Sequence, residues 1–417
     1  MLYTLSTLFS KGVGFLMLPV YTAFFTPSDF GVMDLLLVTG QVLSVVLGME
    51  LNQAVARFYP DANSFKDQQD IVSTAFWAVN SVVGIFLLIG FINIKWISTF
   101  FIESGLNDEL LKHALLSYAA NFIFYYTSAQ LRWQLKALQN LAVNITYTFL
   151  AASTTVLMIK YYNLNVEAVF IAQTYAAIVG SILSILLSLK SYTFQFNKAV
   201  YLKLIKFSAP LIVSTLTVYG MLYVDRLLIT YFLKPDDLGY YAFSSRIASF
   251  VSLLTIGVQT ALGPIIYTHY KDEKTKKILA RLFNYYVMAS FVFILILYLS
   301  ADWLVNLMGH GKFTQSKNLI VWLSFSVLIS SYVNFHPGMY IKNKTHEILY
   351  INLFSFLLNL CAGLWLVRSY GLFGAVLSTA VSSFCYYLLY CIRSQRYYFI
   401  PFFWTLLTNK EASNRIN

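Results

Sequence analysis

Charge is scarce in this sequence: of 417 residues only 11% are Asp, Glu, Lys or Arg, against ~25% in a soluble domain. A soluble chain of this length covers its surface with polar groups, so an ordinary soluble enzyme is excluded. Cysteine is scarce too. Cys361, Cys385 and Cys391 stand in late apolar segments at no disulfide-framework or zinc-ligand spacing, and they read as small core residues. The five histidines, His113, His269, His310, His336 and His346, are scattered, with no HExxH or paired-carboxylate signature beside them. Neither a P-loop nor a GxSxG elbow occurs, so ATP hydrolysis and acyl-enzyme chemistry have no local basis, and no metal or cofactor is expected.

What abounds is apolar: 58% hydrophobic and 18% aromatic residues, with a mean hydropathy of +0.65. The solvent for such a chain is lipid. The net charge of +11, from 29 Lys and Arg against 18 Asp and Glu, would suggest nucleic acid in a soluble protein. In a membrane protein it is the trace of basic cytoplasmic loops, and no nucleic-acid partner is expected. The first apolar stretch has neither a basic lead nor an A-x-A cleavage site and reads as a retained anchor.

A bilayer core of ~30 Å takes about 20 helical residues. Apolar stretches of that length predict twelve spans, at 4–25, 33–56, 71–92, 110–131, 140–160, 166–189, 207–232, 240–267, 282–301, 318–340, 347–367 and 372–392. With the links on alternate sides, the side holding both termini collects 19 of the 29 Lys and Arg and the other side 6. Both termini are therefore expected in the cytoplasm. The longest external link between spans, 93–109, is too short for a catalytic domain. The link 190–206 interleaves Phe194, Phe196, Val200, Tyr201, Leu204 and Ile205 with Lys198, Lys203 and Lys206, which suits either a helix on the inner surface or a charged connector.

An internal repeat orders the spans. Residues 22–31 read TAFFTPSDFG and residues 230–239 read TYFLKPDDLG, a shift of 208 with five of ten positions identical. Each copy falls in the external turn between the first two spans of its half. There proline stops the outgoing helix, aspartate can cap the next one, and glycine can take positive φ. A shift of six spans restores orientation, so the halves are expected to be parallel repeats about an axis along the membrane normal. The expected organisation is a six-helix lobe at 1–189, a linker at 190–206, a second six-helix lobe at 207–392 and a cytoplasmic tail at 393–417, with the two lobes around a central cavity.

Ionisable side chains at membrane depth cost ~2.5 to 3.5 kcal/mol on insertion scales and usually face a bundle interior. Lys11 and Glu50 stand in the cytoplasmic halves of spans one and two, where they either pair or serve the cargo. Asp225, Arg226 and Arg246 form an external tier, all six or seven residues below the turn. Adjacent helical positions diverge by ~100°, so Asp225 is matched with Arg246 rather than Arg226. That matching leaves Arg226 for the diphosphate of a cargo, or for snorkelling to the external interface. Asp225 and Glu50 are also candidates for a coupling proton or sodium ion. Gln41, Asn52, Gln53, Asn80, Asn121, Gln130, Asn144 and Gln259 read mostly as interhelical hydrogen-bonding groups worth about 0.6 kcal/mol each. Pro19, Pro210 and Pro264 are expected to kink or start helices.

The opening GVGFLMLPVYTAFFTPSDFGVMDLL, the following ARFYP, the second-half VDRLLITYFLKPDDLGYYAFSSRIASF and the late YGLFGAVLSTAVS resemble the Wzx-type polysaccharide flippases. These belong to the multidrug/oligosaccharidyl-lipid/polysaccharide exporter superfamily, with the lipid II flippases and the MATE drug exporters. The resemblance implies a two-lobed bundle that flips undecaprenyl-diphosphate-linked repeat units across the bacterial inner membrane for O-antigen or lipopolysaccharide synthesis. It also implies a polysaccharide polymerase and chain-length machinery as partners. Arginines of the leading spans line the central cavity in the lipid II flippases; Arg226 and Arg246 resemble that arrangement, while Arg57 lies at the cytoplasmic mouth. A MATE-like cation-coupled exporter is the alternative within transport, and a membrane glycan polymerase or acyltransferase the alternative among enzymes.

Overall fold

The computed structural model describes residues 2–99, 107–252 and 270–402, together with 255, 258, 262 and 266; side chains are described from residue 5 onward except that of Thr7. Gln259, Pro264, Lys410 and Arg415, and much of the expected span 240–267, lie outside the described residues. The described residues form helices and links without strands. Among the described residues eight helices are long and apolar enough to cross a membrane, by length and composition. Lipid offers the backbone no hydrogen-bonding partner, and a helix satisfies its own N–H and C=O groups.

By packing, the chain divides into two compact units. The first is Met1–Arg226 with Lys234–Gly239; the second is Leu227–Leu233 with Tyr240–Asn417. The first unit is built from α1 (Leu2–Phe24), α2 (Pro27–Gly48), α3 (Leu51–Phe58), α4 (Phe65–Ile92), α5 (Ile94–Thr99), α6 (Asp108–Trp133), α7 (Ala137–Tyr162), α8 (Glu167–Leu187) and most of α9 (Lys198–Phe232).

Without a hydrophobic drive between helices in lipid, small residues let backbones close up. On α8, Ala168, Ala172, Ala176, Gly180 and Ser184 recur every four residues on one buried stripe, and a Cβ on Gly180 would meet the Phe124 ring of α6 at 2.6 Å. The same logic runs between α6 and α2, where Gly40 faces Tyr118 and Gly48 faces Phe122. The Tyr118 hydroxyl donates to the Leu36 carbonyl at 2.6 Å, so the ring both fills the groove and satisfies its polar end.

The expected second span is not one helix. It begins earlier, at Pro27, and breaks at Met49 and Glu50, which hold φ of 47° and 51°. Two successive left-handed residues without a glycine store strain, and only the surrounding packing can hold them there. Leu47, Leu51, Ala54 and Val55 on either side of the break are buried against α4 and α6. The linker 190–206 is half irregular and half helical, since α9 already starts at Lys198. Its first part is fastened to the start of α4: Gln69 donates to the Lys190 carbonyl, Trp77 to the Thr193 carbonyl, and the Asn197 N–H to Thr74. Pro19 and Pro210 lie inside α1 and α9 respectively.

The second unit holds the rest of α10 (Pro235–Phe250), then α11 (Glu273–Gly309), α12 (Ser316–Ser331), α13 (Gly338–Ile341) and α14 (Thr345–Tyr397). At 53 residues α14 would run ~80 Å, too far for one crossing. It is two helices joined at Gly371, whose φ of 59° and ψ of −139° are open to glycine alone. The arms then pack so tightly that a Cβ on Gly374 would lie 2.0 Å from the Leu366 carbonyl oxygen. The cysteines depart from the core expectation: Cys361 is exposed, and Cys385 and Cys391 are only half-buried. In lipid an apolar thiol on the outer surface incurs no desolvation penalty, so exposure and burial are equally tolerable.

Candidate functional site

The site is built from the repeated turn downward. In both copies proline is the first residue of the incoming helix, Pro27 of α2 and Pro235 of α10, where a missing N–H costs nothing. In the first copy Thr26 and Asp29 form a reciprocal capping box: the Asp29 N–H donates to Thr26 Oγ1 at 3.2 Å, and the Thr26 N–H donates to Asp29 Oδ2 at 3.0 Å. Asp29 also accepts from Asn165 at 2.9 Å, which ties the turn to the start of α8. In the second copy the capping position is Lys234, and Asp237 accepts its backbone N–H at 3.1 Å.

The glycines do not use their freedom of φ. Neither Gly31 nor Gly239 has positive φ; both are helical. Within the first unit they let two backbones touch: a Cβ on Gly239 would lie 1.8 Å from the Pro27 carbonyl oxygen, and one on Gly31 would lie 2.7 Å from the Gly239 nitrogen. The repeated motif thus meets its own copy, glycine on glycine, where no side chain fits.

One turn beneath that contact lies a buried ion pair. Asp34 stands seven residues past Pro27 on α2, ~10 Å along the helix. Its carboxylate accepts a hydrogen bond from Arg226 Nε of α9 at 2.8 Å, and both side chains are 7% exposed. Arg226 Nη1 donates to the Leu222 carbonyl of its own helix at 2.7 Å, which holds the guanidinium against α9. This corrects the expectation that Arg226 has no carboxylate at its depth. Asp34 stands as many residues from its copy of the repeated turn as Arg226 does from the other, to within one, a signal present in the sequence, but its partner becomes evident only when α2 lies beside α9. The side chains are buried within protein, so Arg226 does not snorkel to the interface.

The other expected site residues sit in different settings. Asp225 is buried beside Arg226 in the first unit. Arg246 is half-buried on α10 in the second unit, and its carbonyl accepts from Ser249. Lys11 is half-buried on α1, and Glu50 is half-buried at the α2–α3 break. Among the described residues Glu50 enters no ion pair, so pairing with Lys11 is not its role here. The physical reason is the break itself, which takes Glu50 off the helical face that an unbroken span would continue. Arg57 is exposed at the end of α3, paired with Asp61 and lying 5.8 Å from the centroid of the Phe58 ring. Nearby, burial pushes the Tyr59 phenol up, against a side-chain hydrogen bond from Gln134 that lowers it. Three or more His, Cys, Asp or Glu side chains do not gather anywhere among the described residues.

Polar groups on the inner faces form networks between helices, as in the Tyr147 hydroxyl donating to Asn121 Oδ1 at 2.6 Å. Asn121 Nδ2 in turn donates to the Ser117 carbonyl at 2.8 Å. Asn140 reaches from α7 to the Ser128 carbonyl of α6 at 2.9 Å. Of the polar residues singled out in the sequence, Asn121 bonds across helices, whereas Asn80 and Asn144 donate to carbonyls of their own helices.

A family profile described as polysaccharide biosynthesis protein matches residues 1–269, and one described as MatE matches 210–365. An Lsg locus protein of Haemophilus influenzae is 24% identical over 79% of this chain and 80% of its own length. A second membrane protein of the same organism is 22% identical over 87% of this chain and 88% of its own. Among solved structures, the lipid II flippase MurJ in an inward closed conformation superposes with a TM-score of 0.78 at 14% identity, covering 94% of this chain and 87% of that one. An inward-facing multidrug resistance MATE family transporter superposes with a TM-score of 0.74 at 13% identity, covering 93% and 94%. The fold is therefore that of a polytopic membrane transporter, and the relatives of known action are transporters rather than enzymes. With the first profile spanning well over half its length, this chain belongs to the family described as polysaccharide biosynthesis protein.

Proposed function

We propose that this protein flips undecaprenyl-diphosphate-linked oligosaccharide repeat units from the cytoplasmic to the outer leaflet of the bacterial inner membrane, by alternating access. It does so with twelve spans in two parallel six-helix lobes, 1–189 and 207–392, joined by 190–206, and with both termini in the cytoplasm. The division of α14 at Gly371 supports that count, because it turns one over-long helix into two membrane-length arms.

The observation that carries the reading is Arg226. A buried guanidinium within a span is expensive, and a buried ion pair is weak evidence for stability. Its presence in a polysaccharide-family flippase is explained by an anionic cargo, and a planar fork suits the two oxygens of a phosphate. Arg246, Lys11 and Arg57 are further cationic stations for the diphosphate, and Asp225 and Glu50 are candidates for the coupling ion.

Reconstituted into proteoliposomes, the protein moves a fluorescent undecaprenyl-diphosphate oligosaccharide to the opposite leaflet, read by an impermeant glycosidase. Arg226→Ala and Arg246→Ala abolish the transfer while insertion stays normal. Arg226→Lys restores it in part, since a point charge replaces the fork. Full transfer by Arg226→Ala removes the residue from the site. A second reading, a MATE-like cation-coupled exporter, is favoured by the MatE match over 210–365. It is tested in the same vesicles by dye efflux under an imposed sodium or proton gradient.

A further inference from the structure

Asp34 has no role in the account so far beyond neutralising Arg226. We propose that it is the competitor of the cargo: its carboxylate holds the position on Arg226 that a lipid diphosphate takes, so that cargo binding releases α2 from α9 on the external side. The inference rests on the diphosphate reading above.

Four observations lead there. The pair joins two helices 192 positions apart in sequence, one turn below the Gly31–Gly239 contact, so it lies directly under the external closure within the first unit. Arg226 is also anchored to the Leu222 carbonyl of its own helix, so the guanidinium keeps its position when the carboxylate leaves. The duplicated scaffold does not need a pair there. At the repeat shift of 208 the counterparts of Arg226 and Asp34 are Leu18 and Ala242, both fully buried and apolar. Finally, a carboxylate and a phosphate are the two anions that the guanidinium fork fits, and the phosphate brings more charge.

The exchange is a two-state switch. With Asp34 on Arg226, α2 and α9 are held together beneath the external turn. A diphosphate on Arg226 displaces the carboxylate and binds only the released state, and a ligand shifts an equilibrium by its differential affinity for the two states. On the outer side the cargo leaves, Asp34 recaptures Arg226, and the closure re-forms without a further energy input at this step.

The test uses the full chain in phosphatidylcholine nanodiscs, with Cys361, Cys385 and Cys391 replaced by serine and a single reporter, Val38→Cys. Val38 is buried one turn below Asp34 on the same face of α2. Undecaprenyl diphosphate should raise maleimide labelling of the reporter roughly tenfold, the range of ordinary coupling. Asp34→Asn should be labelled at the raised rate with no lipid present and should bind undecaprenyl diphosphate roughly tenfold more tightly, because its competitor is gone. Phosphatidylglycerol should do neither. The double exchange Asp34→Arg with Arg226→Asp re-forms a pair, so its reporter should be protected and should stay protected when the lipid is added. Unchanged or weaker binding by Asp34→Asn, or a protected reporter in that variant, overturns the proposal, and so does opening of the double exchange by the lipid. Labelling of Asp34→Asn together with a wild-type protein that binds no undecaprenyl diphosphate overturns the substrate reading and keeps the closure role of Asp34.

Discussion

The two copies of the repeated turn share proline, aspartate and glycine, yet they differ in what lies beneath them. The first copy leads to Asp34, which pairs with Arg226; at the corresponding positions the other diagonal of the repeat has Leu18 and Ala242. The shared residues are explained by backbone geometry: proline opens a helix, aspartate caps it, and glycine permits contact. The charges that differ have no such explanation, because the corresponding positions, Leu18 and Ala242, are each buried and apolar. What duplication preserved is structural, and the charged pair, to which each half contributes one residue, is the candidate for function.

The comparison breaks most visibly at Asp34. Asp34→Ala leaves Arg226 buried without its carboxylate and should cost about 3–5 kcal/mol, read as loss of folded protein in detergent melts. The double variant Asp34→Ala with Arg226→Leu copies the apolar diagonal and should return stability to wild type or above it, while cargo transfer stays abolished. A double variant as unstable as the single one would show that the scaffold needs the pair, and the contrast between the copies would lose its meaning.

Next come the glycines. Gly239→Ala drives a methyl into the Pro27 carbonyl, where backbone cannot yield, and should destabilise by about 1–3 kcal/mol. Gly31→Ala, facing a looser approach of 2.7 Å, should cost less. Equal effects at the two sites would mean that the contact relaxes as a unit. The caps sharpen the comparison further. Asp29→Ala loses a reciprocal box and the Asn165 tie, worth about 1 kcal/mol; Asp237→Ala loses a backbone bond to Lys234 and should cost visibly less in the same melts. Smallest of all, Arg57→Ala removes an exposed pair with Asp61 and should change stability by less than about 1 kcal/mol, so any loss of transfer in that variant would reflect the proposed role of Arg57 as a cationic station rather than lost stability.

Much of the fold was legible in the residues, because an apolar stretch of membrane length can satisfy its backbone in lipid only as a helix. Where residues are described, the expected stretches lie mostly in helix, although that at 318–340 leaves the α-helix after Ser331, and the gap at 368–371 holds Gly371, where the last helix divides. The break at Met49 and Glu50 was not legible, since neither glycine nor proline marks it and the strain is held by packing of Leu47 and Leu51. Depth alone puts Asp225, Arg226 and Arg246 in one tier, but depth says nothing of azimuth, so it does not single out Asp34, at the same level, as the partner of Arg226.

By itself, then, the sequence determined the solvent, the helices, the duplicated turns and the tier of charge within the membrane. Each of these depends on residues a few positions apart, through periodicity, capping and proline geometry. Only the tertiary structure decided that Arg226 pairs with Asp34 and that Gly31 and Gly239 are needed for contact rather than for positive φ. Partners separated by 192 positions meet only when helices pack, and which faces adjoin is a property of the whole bundle rather than of any segment.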